Sequence, residues 1–289
     1  MREFFVFLYA CLFDKVLRKH LALKKYLRQN YADVLQKFQA KNPRRKRMPE
    51  KYPVWFCWWQ GEKNMPEIVR ACWRALRQNA NGHPARLITK DNFQKFVKIP
   101  PFILAKVRQG QISLTHFSDI LRMSLLHAQG GLWLDATVLL TAPLPPLAGL
   151  ELFTIRRRRK DLHVGRGQWT TYCFYMNKGN LLADFMKTLL TAYWQREAAA
   201  IDYFLFDYGI AAARDNIPVV KRMLDAVPYS NENIYALKHK LGEKYVAQTF
   251  AEICRANYLH KLTWKTEFPK RTAEGKLTFY GKLIEYTLV

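Results

Sequence analysis

The chain has few acidic residues and no long apolar run, and both absences narrow its function. It carries 23 Asp and Glu against 47 Lys and Arg in 289 residues, which gives a net charge of +24. Such an excess indicates an anionic partner: nucleic acid, a phospholipid surface or a phosphorylated substrate. No segment has the roughly 18–20 consecutive apolar residues that a membrane-spanning helix needs. The longest apolar stretch, FFVFLYACLF at 4–13, is too short for that role.

Cysteines are also few, and their spacing excludes a disulfide framework or a zinc finger. The five cysteines are Cys11, Cys57, Cys72, Cys173 and Cys254, and no two of them form a CxxC pair. Scattered cysteines of this kind indicate reduced, mostly buried thiols in a cytosolic protein. The chain has no internal repeat, and its hydrophobic fraction of 49% predicts a folded core, not a disordered protein.

The basic excess is concentrated in the first 51 residues, where 14 Lys and Arg accompany 4 Asp and Glu. The stretch at 4–13 has the length of a signal-peptide core, but no small-residue cleavage site follows it. Residues 14–40 have the spacing of a basic amphipathic helix, which either lies on a membrane or docks on the protein. A basic linker with two prolines follows at 41–49. We therefore predict a helical extension and linker over 1–50 and one domain over 51–289.

Strand and helix patterns alternate from residue 53 onward. Strands are predicted at 54–58, 86–89, 132–134, 152–155, 172–176 and 276–280. Helices are predicted at 66–79, 91–97, 101–110, 181–200, 202–213, 218–226 and 246–256, and around the charged motif described next. This alternation predicts an α/β fold with a mostly parallel sheet flanked by helices.

The central segment ISLTHFSDILRMSLLHAQGGLWLDATVLLT places charged residues among apolar ones. Asp119 and Arg122 are three residues apart, so on a helix they project from one face. Gly130 and Gly131 are expected to end this helix, because glycine adopts the left-handed C-cap conformation. Asp135 follows a short apolar strand. A buried carboxylate costs several kcal/mol unless a cation or a donor meets it, so the motif predicts a ligand site.

Five blocks of the sequence together resemble the capsular polysaccharide synthesis proteins, which are DXD-containing glycosyltransferases of the glycosyltransferase 32 type. The blocks are WFCWWQG (55–61), SLTHFSDILR (113–122), GGLWLDAT (130–137), IDYFLFDY (201–208) and HKLTWK (260–265). The resemblance covers residues 53–289 and implies a GT-A-like, Rossmann-like fold. It also implies transfer of a sugar, with retention of configuration, from a nucleotide-sugar donor to a lipid-linked or growing surface glycan of capsular or lipopolysaccharide type.

The resemblance implies a role for several side chains. The expected catalytic residues are Asp135, Arg122 and Asp207. The expected donor-binding residues are Trp59, Asp119, Arg122, Asp135, Thr137, Trp264 and Lys265. Among them, Trp59 would stack on the base, and the fork of Arg122 suits the geometry of phosphate.

A divalent cation, Mn²⁺ or Mg²⁺, is the cofactor that the resemblance implies, with Asp135 and His260 as its ligands. The family motif Asp-x-Asp here reads Asp135-Ala136-Thr137. A threonine hydroxyl is neutral, so this change removes one negative charge and one good oxygen ligand. Either other groups complete a weaker cation site, or basic residues replace part of the cation's work.

The basic extension and a lipid-linked acceptor together predict a peripheral protein on an anionic membrane surface, at the cytoplasmic face of the cell membrane. Two alternatives stay open: a family member inactivated by Thr137, and a non-enzymatic protein that binds nucleic acid or another anionic surface. Nucleic acid is not an expected partner, because no binding motif is present and Asp119, Asp135 and Asp207 would have no role. The basic run RRRRK at 156–160 is either a solvated loop or a loop that grips phosphate or acceptor lipid.

Overall fold

The computed structural model describes residues 14–41, 48–158 and 161–285. The helices are α1 (Lys15–Asn30), α2 (Ala32–Gln39), α3 (Glu67–Asn79), α4 (Pro101–Arg108), α5 (Leu114–Gln129), α6 (Leu181–Arg196), α7 (Leu205–Asn216), α8 (Pro218–Asp225), α9 (Ala236–Lys240), α10 (Ala247–Ala256) and α11 (Phe279–Glu285). The strands are β1 (Val54–Cys57), β2 (Ala85–Ile88), β3 (Gly131–Asp135), β4 (Val138–Leu140), β5 (Leu152–Thr154), β6 (Cys173–Met176) and β7 (Leu259–Lys261). The apolar stretch at 4–13 and most of the predicted linker lie outside the described residues, as do the last two residues of the basic run.

A five-stranded mixed sheet, in the order β2-β1-β3-β6-β5, forms the centre of the fold. Strand β1 pairs in parallel with β2 and β3, whereas β6 is antiparallel to both of its neighbours, β3 and β5. Four of the five strands in this sheet therefore run in one direction, and β6 runs against them. Helices flank the sheet, which confirms the prediction of an α/β fold with a mostly parallel sheet.

At the junction between α5 and β3 the helix ends at Gly130 as predicted, with a positive φ but with ψ of −165°, so the cap is not the left-handed helical one. Gly130 caps the helix with φ of 69°, and its N–H donates to the carbonyl oxygen of Leu126 at 2.9 Å. Gly131 has φ of 100°, and a Cβ atom there would lie 2.2 Å from the carbonyl oxygen of Pro53. No side chain fits at that point, so the chain turns directly from helix into strand. Asp135 then lies level with Cys57, at the C-terminal ends of β3 and β1.

The N-terminal extension packs on the domain through its described helices. Helix α1 contacts α7, and α2 contacts α6. The Nζ atom of Lys19 lies 2.6 Å from a carboxylate oxygen of Asp202, and the buried Leu27 and Phe38 belong to the same hydrophobic core as the sheet. Of the two interpretations of residues 14–40, the structure thus shows docking. Within the described ranges, no helix is both long enough and apolar enough to cross a membrane.

The predicted strand at 276–280 is wrong. Helix α11 begins at Phe279, and the hydroxyl of Thr278 accepts a hydrogen bond from the N–H of Gly281 at 3.0 Å, which caps this helix. Just before this helix, Leu277 and Thr278 form only isolated β-bridges, with Arg271 and Lys244 respectively. Instead, β7 pairs with β4 in a separate antiparallel ladder that the sequence did not predict, with Lys261 opposite Val138.

Candidate active site

A cavity of about 470 Å³ opens at the C-terminal end of β3. This volume lies within the range of small-molecule sites, and the position is where open α/β sheets bind ligands. The principal lining side chains come from α5, the end of β3, the loop at 156–172, the start of α7, and β7: Asp119, Arg122, Asp135, Arg157, Asp161, His163, Trp169, Tyr203, Phe204, Phe206, Asp207 and Lys261. The predicted residues Asp119, Arg122, Asp135 and Asp207 therefore meet in one cavity.

Arg122 joins the two carboxylates of the central motif. Its Nη1 atom lies 3.3 Å from Oδ1 of Asp119, and its Nη2 atom lies 3.1 Å from Oδ1 of Asp135. The guanidinium also lies 5.1 Å from the ring centroid of Trp133 and 5.0 Å from that of Phe206. Its Nε and Nη1 atoms are buried without a hydrogen-bond partner among the described residues. Arg122 thus lies at the cavity wall with its guanidinium almost fully buried between two carboxylates.

Asp135 is surrounded by donors on both of its oxygens. Oδ1 accepts from Nη2 of Arg122 and from Nε1 of Trp133 at 2.8 Å, and Oδ2 accepts from Nζ of Lys261 at 3.0 Å. Burial alone would raise the pKa of this carboxyl, but Lys261 and Arg122 outweigh burial and hold the pKa below its usual range. The desolvation cost of Asp135 is therefore offset by two cations of the chain itself.

Asp119 has a different environment. Burial raises the pKa of its carboxyl to about 7; the charge of Arg122 opposes this shift, and the negative charges of Asp207 and Asp135 add to it. The carboxyl therefore exchanges its proton near neutral pH. As the acid it donates a hydrogen bond, and as the carboxylate it accepts from ligand hydroxyls.

The opposite wall is built around Asp207, in the first turn of α7. Its Oδ1 atom accepts from Nε1 of Trp169 at 2.9 Å, and its Oδ2 atom lies 3.6 Å from Nε2 of His163. Burial alone would lower the pKa of His163, but Asp207 outweighs it and the pKa is raised. The loop that carries His163 and Trp169 thus closes this side of the cavity.

The described part of the basic run divides between two roles. Arg157 lines the cavity and pairs with Asp161 at 2.8 Å. Arg156 instead donates to the carbonyl oxygens of Asp225 and Val227, at 2.6 and 3.2 Å, which ties this loop to the C-terminal end of α8. The run is therefore neither wholly a solvated loop nor wholly a ligand loop.

Four predicted donor-binding residues, Trp59, Thr137, Trp264 and Lys265, are not among the described residues that line the cavity. The ring of Trp59 packs against those of Phe93 and Phe117, with centroids 5.3 and 4.9 Å away. Thr137 is buried in the turn after β3. Trp264 lies three residues after the end of β7 and is 49% exposed. Their roles in donor binding stay predictions.

His260 does not meet Asp135. Neighbouring side chains of a strand point to opposite faces, so Lys261 of β7 reaches Asp135, whereas Nε2 of His260 lies 3.0 Å from Oγ1 of Thr141. His260 is fully buried, and burial lowers its pKa to about 4. In the parts of the chain that the structure describes, no three His, Cys, Asp or Glu side chains are arranged to hold a metal ion. Asp135 instead contacts two cationic side chains, Arg122 and Lys261, and a divalent cation at this site stays a prediction.

Two residues of the site carried no decisive signal in the sequence. Lys261 is one of many lysines, and the block HKLTWK gives no reason to prefer it to Lys265. His163 stands in a basic loop without a motif. Only the sheet pairing of β7 and the closure of the loop on α7 bring them to the cavity.

Residues 13–283 match the model of the capsular polysaccharide synthesis protein family. The comparison with curated proteins gave no match. Among solved structures, the chain is similar to the PaToxG glycosyltransferase, with 14% identity, a TM-score of 0.44, and coverage of 84% of this chain and 99% of that one. Because the family match spans nearly the whole chain, this protein belongs to the capsular polysaccharide synthesis protein family.

Proposed function

We propose that this protein is a glycosyltransferase that moves a sugar from a nucleotide-sugar donor to a lipid-linked or growing surface glycan. The observation that carries the proposal is the group formed by Asp119, Arg122 and Asp135, at one cavity on the C-terminal edge of the sheet, in a member of the capsular polysaccharide synthesis protein family. That edge is the usual place for a nucleotide in an open α/β sheet.

The chemistry requires the bond between the sugar's anomeric carbon and the diphosphate oxygen to break. A new bond forms from that carbon to an acceptor hydroxyl oxygen, whose proton passes to the departing diphosphate or to water. Negative charge then develops on the departing diphosphate, and Arg122 provides a fixed cation at the cavity wall. Asp119 and Asp207 also line the cavity, and in this proposal they bind sugar or ribose hydroxyls. Retention of configuration belongs to the proposal through the family resemblance, and proton NMR of the product tests it.

A membrane-bound acceptor is proposed from the mouth of the cavity. Tyr203 and Phe204 line the cavity and are 60% and 40% exposed, and Leu162 of the facing loop is 65% exposed. Lys19 of the basic helix α1 pairs with Asp202 next to this mouth. Apolar side chains beside basic ones favour contact with an anionic lipid surface, which we propose is the cytoplasmic face of the cell membrane.

The first prediction tests the activity itself. Wild-type protein is expected to release nucleoside diphosphate from one member of a panel of UDP-, GDP- and ADP-sugars, with membrane lipid extract as acceptor. Asp135→Asn removes the charge that orients Arg122 and Lys261, so turnover should fall on the order of 100-fold. A panel of thermal shifts with the same donors reports binding where hydrolysis is slow.

The matched control is Asp91→Asn, an exposed carboxylate outside the cavity, which should keep wild-type turnover. Circular dichroism checks that both variants fold. Equal turnover in folded Asp135→Asn and wild type would refute the assigned role of this residue. If the wild type gave no turnover and no thermal shift with every donor in the panel, the proposed function would be refuted.

A further inference from the structure

We propose that Lys261 takes the place of a divalent cation, so that this protein binds the diphosphate of its donor through Lys261 and Arg122 without a metal ion. The inference rests on the proposed function, since the diphosphate belongs to the nucleotide-sugar. It starts from one contact: Nζ of Lys261 lies 3.0 Å from Oδ2 of Asp135, the carboxylate that the family motif assigns to the cation.

The ammonium group of Lys261 is fixed at the cavity wall. Strand β7 is held in register by its pairing with β4, and Nζ lies 4.9 Å from the ring centroid of Tyr172. The side chain is 20% exposed and lines the cavity. An ammonium has three donors, and the bond to Asp135 uses one of them. The others are available to oxygens of a bound phosphate.

The groups around Asp135 oppose a divalent ion. Such an ion would have to displace Lys261 from Oδ2 and would also lie close to the guanidinium of Arg122, which occupies Oδ1. Thr137 brings no charge to compensate, and His260 is directed to Thr141 on the other face of β7. Mn²⁺ and Mg²⁺ prefer several oxygen ligands that are free of competing cations. Lys261 and Arg122 together carry a charge of +2, the charge of a divalent ion, and they can face the diphosphate without such a set of oxygen ligands.

Calorimetric titration with UDP, GDP and ADP tests the proposal, in EDTA and separately in Mn²⁺. The wild type should bind one nucleoside diphosphate with the same Kd, within about twofold, under both conditions. Lys261→Met keeps an unbranched side chain that is one atom shorter and removes its charge, so the Kd in EDTA should rise on the order of 10- to 100-fold. Lys261→Arg should stay within about fivefold of the wild type, because it keeps the charge.

Lys270→Met is the matched control, because Lys270 also pairs with a carboxylate, that of Glu67, at an exposed site outside the cavity. It should bind like the wild type, and thermal unfolding shows whether each variant folds. Binding that is lost in EDTA and present in Mn²⁺ overturns the metal-free proposal and leaves the proposed function in place. Unchanged binding in Lys261→Met overturns the role of Lys261. Absence of binding under both conditions counts against the proposed function, and the inference falls with it.

Discussion

Asp119 and Asp135 contact the same guanidinium, yet their carboxyls ionise differently. Asp135 accepts from Lys261 and from the indole of Trp133 as well as from Arg122, so its pKa is held low despite burial. Asp119 has Arg122 at 3.3 Å and two negative neighbours, and burial raises its pKa to about 7. A site of this kind trades stability for a carboxyl that can change its charge near neutral pH.

This difference predicts how stability depends on pH. The folded state binds the proton of Asp119 more tightly than the unfolded chain, whose carboxyl has the ordinary pKa of 3.8. The resulting stability is fully present below pH 3.8 and is lost as the pH rises through about 7. Asp119→Asn cannot ionise, so it should be more stable than the wild type at about pH 8, on the order of a few kcal/mol, with a smaller gain at about pH 5. Urea unfolding at the two pH values measures this gain.

Asp33→Asn provides the control for the pH experiment. Asp33 is exposed and pairs with Arg196 at 2.7 Å, and its hydrogen bond with Arg196 lowers its pKa. Removing it should give no gain in stability at the higher pH. A gain of Asp119→Asn that is the same at both pH values would show that burial, without ionisation, explains the effect.

At the scale of elements, α1 braces the wall of the cavity that Asp207 and His163 form. Nδ1 of His20 lies 2.7 Å from the hydroxyl of Tyr208, and its Nε2 lies 2.8 Å from the carbonyl oxygen of Leu162. Tyr208 follows Asp207 in α7, and Leu162 precedes His163 in the facing loop. One side chain of the N-terminal extension therefore ties together the two segments that form the Asp207 and His163 pair.

His20→Ala should loosen this loop. Loss of two hydrogen bonds at a half-buried position is expected to cost about 2 kcal/mol of unfolding free energy. Hydrogen–deuterium exchange should rise in residues 161–168 and stay unchanged in β3. His239→Ala, at an exposed position, should alter neither. If residues 161–168 of His20→Ala exchanged at the same rate as in the wild type, the loop would keep its position without the contacts from α1.

Local sequence signals predicted the centre of the fold, and long-range pairing supplied the rest. The helix, the glycine pair and the strand that ends at Asp135 are set by neighbours in sequence, so their arrangement followed from spacing and from the conformations open to glycine. Lys261 meets Asp135 across 126 positions through β7, a strand of three residues. No periodicity identifies so short a strand. The alternating pattern at 276–280 predicted a strand, whereas the hydroxyl of Thr278 caps a helix there.

The aromatic residues show the same limit at a single position. The motif around Trp59 suggested a stacking platform for the base, because the sequence gives its type and spacing. The structure adds that its ring packs against those of Phe93 and Phe117, which are distant from it in sequence, and its role in donor binding stays a prediction. Whether an aromatic side chain faces a ligand or the core depends on neighbours that are distant in sequence.

For the whole molecule, the net charge of +24 and the side chains at the mouth of the cavity both favour contact with an anionic membrane. The mouth patch consists of Leu162, Tyr203 and Phe204, which are exposed apolar or aromatic side chains beside the loop and α7. Lys19, on the exposed basic side of α1, lies next to it through its ion pair with Asp202. In sequence, the apolar stretch at 4–13 comes just before this helix. A protein that lay on an anionic bilayer with this side would open its cavity to an acceptor anchored in the lipid.

Vesicle sedimentation tests this orientation. The wild type should bind vesicles of phosphatidylglycerol and phosphatidylcholine, and should bind them more weakly at about 0.5 M than at about 0.1 M salt, because salt screens the basic side chains. Leu162→Glu combined with Tyr203→Glu adds two charges of the wrong sign and removes apolar contact, so affinity should fall by about tenfold or more. Val246→Glu, at a position that is 45% exposed and lies outside the patch, adds one such charge and should cost less than half as much binding free energy, since its charge would face water. An equal loss of binding free energy per added charge in the two variants would mean that net charge alone attracts the protein to the membrane, and that the cavity has no preferred side toward it.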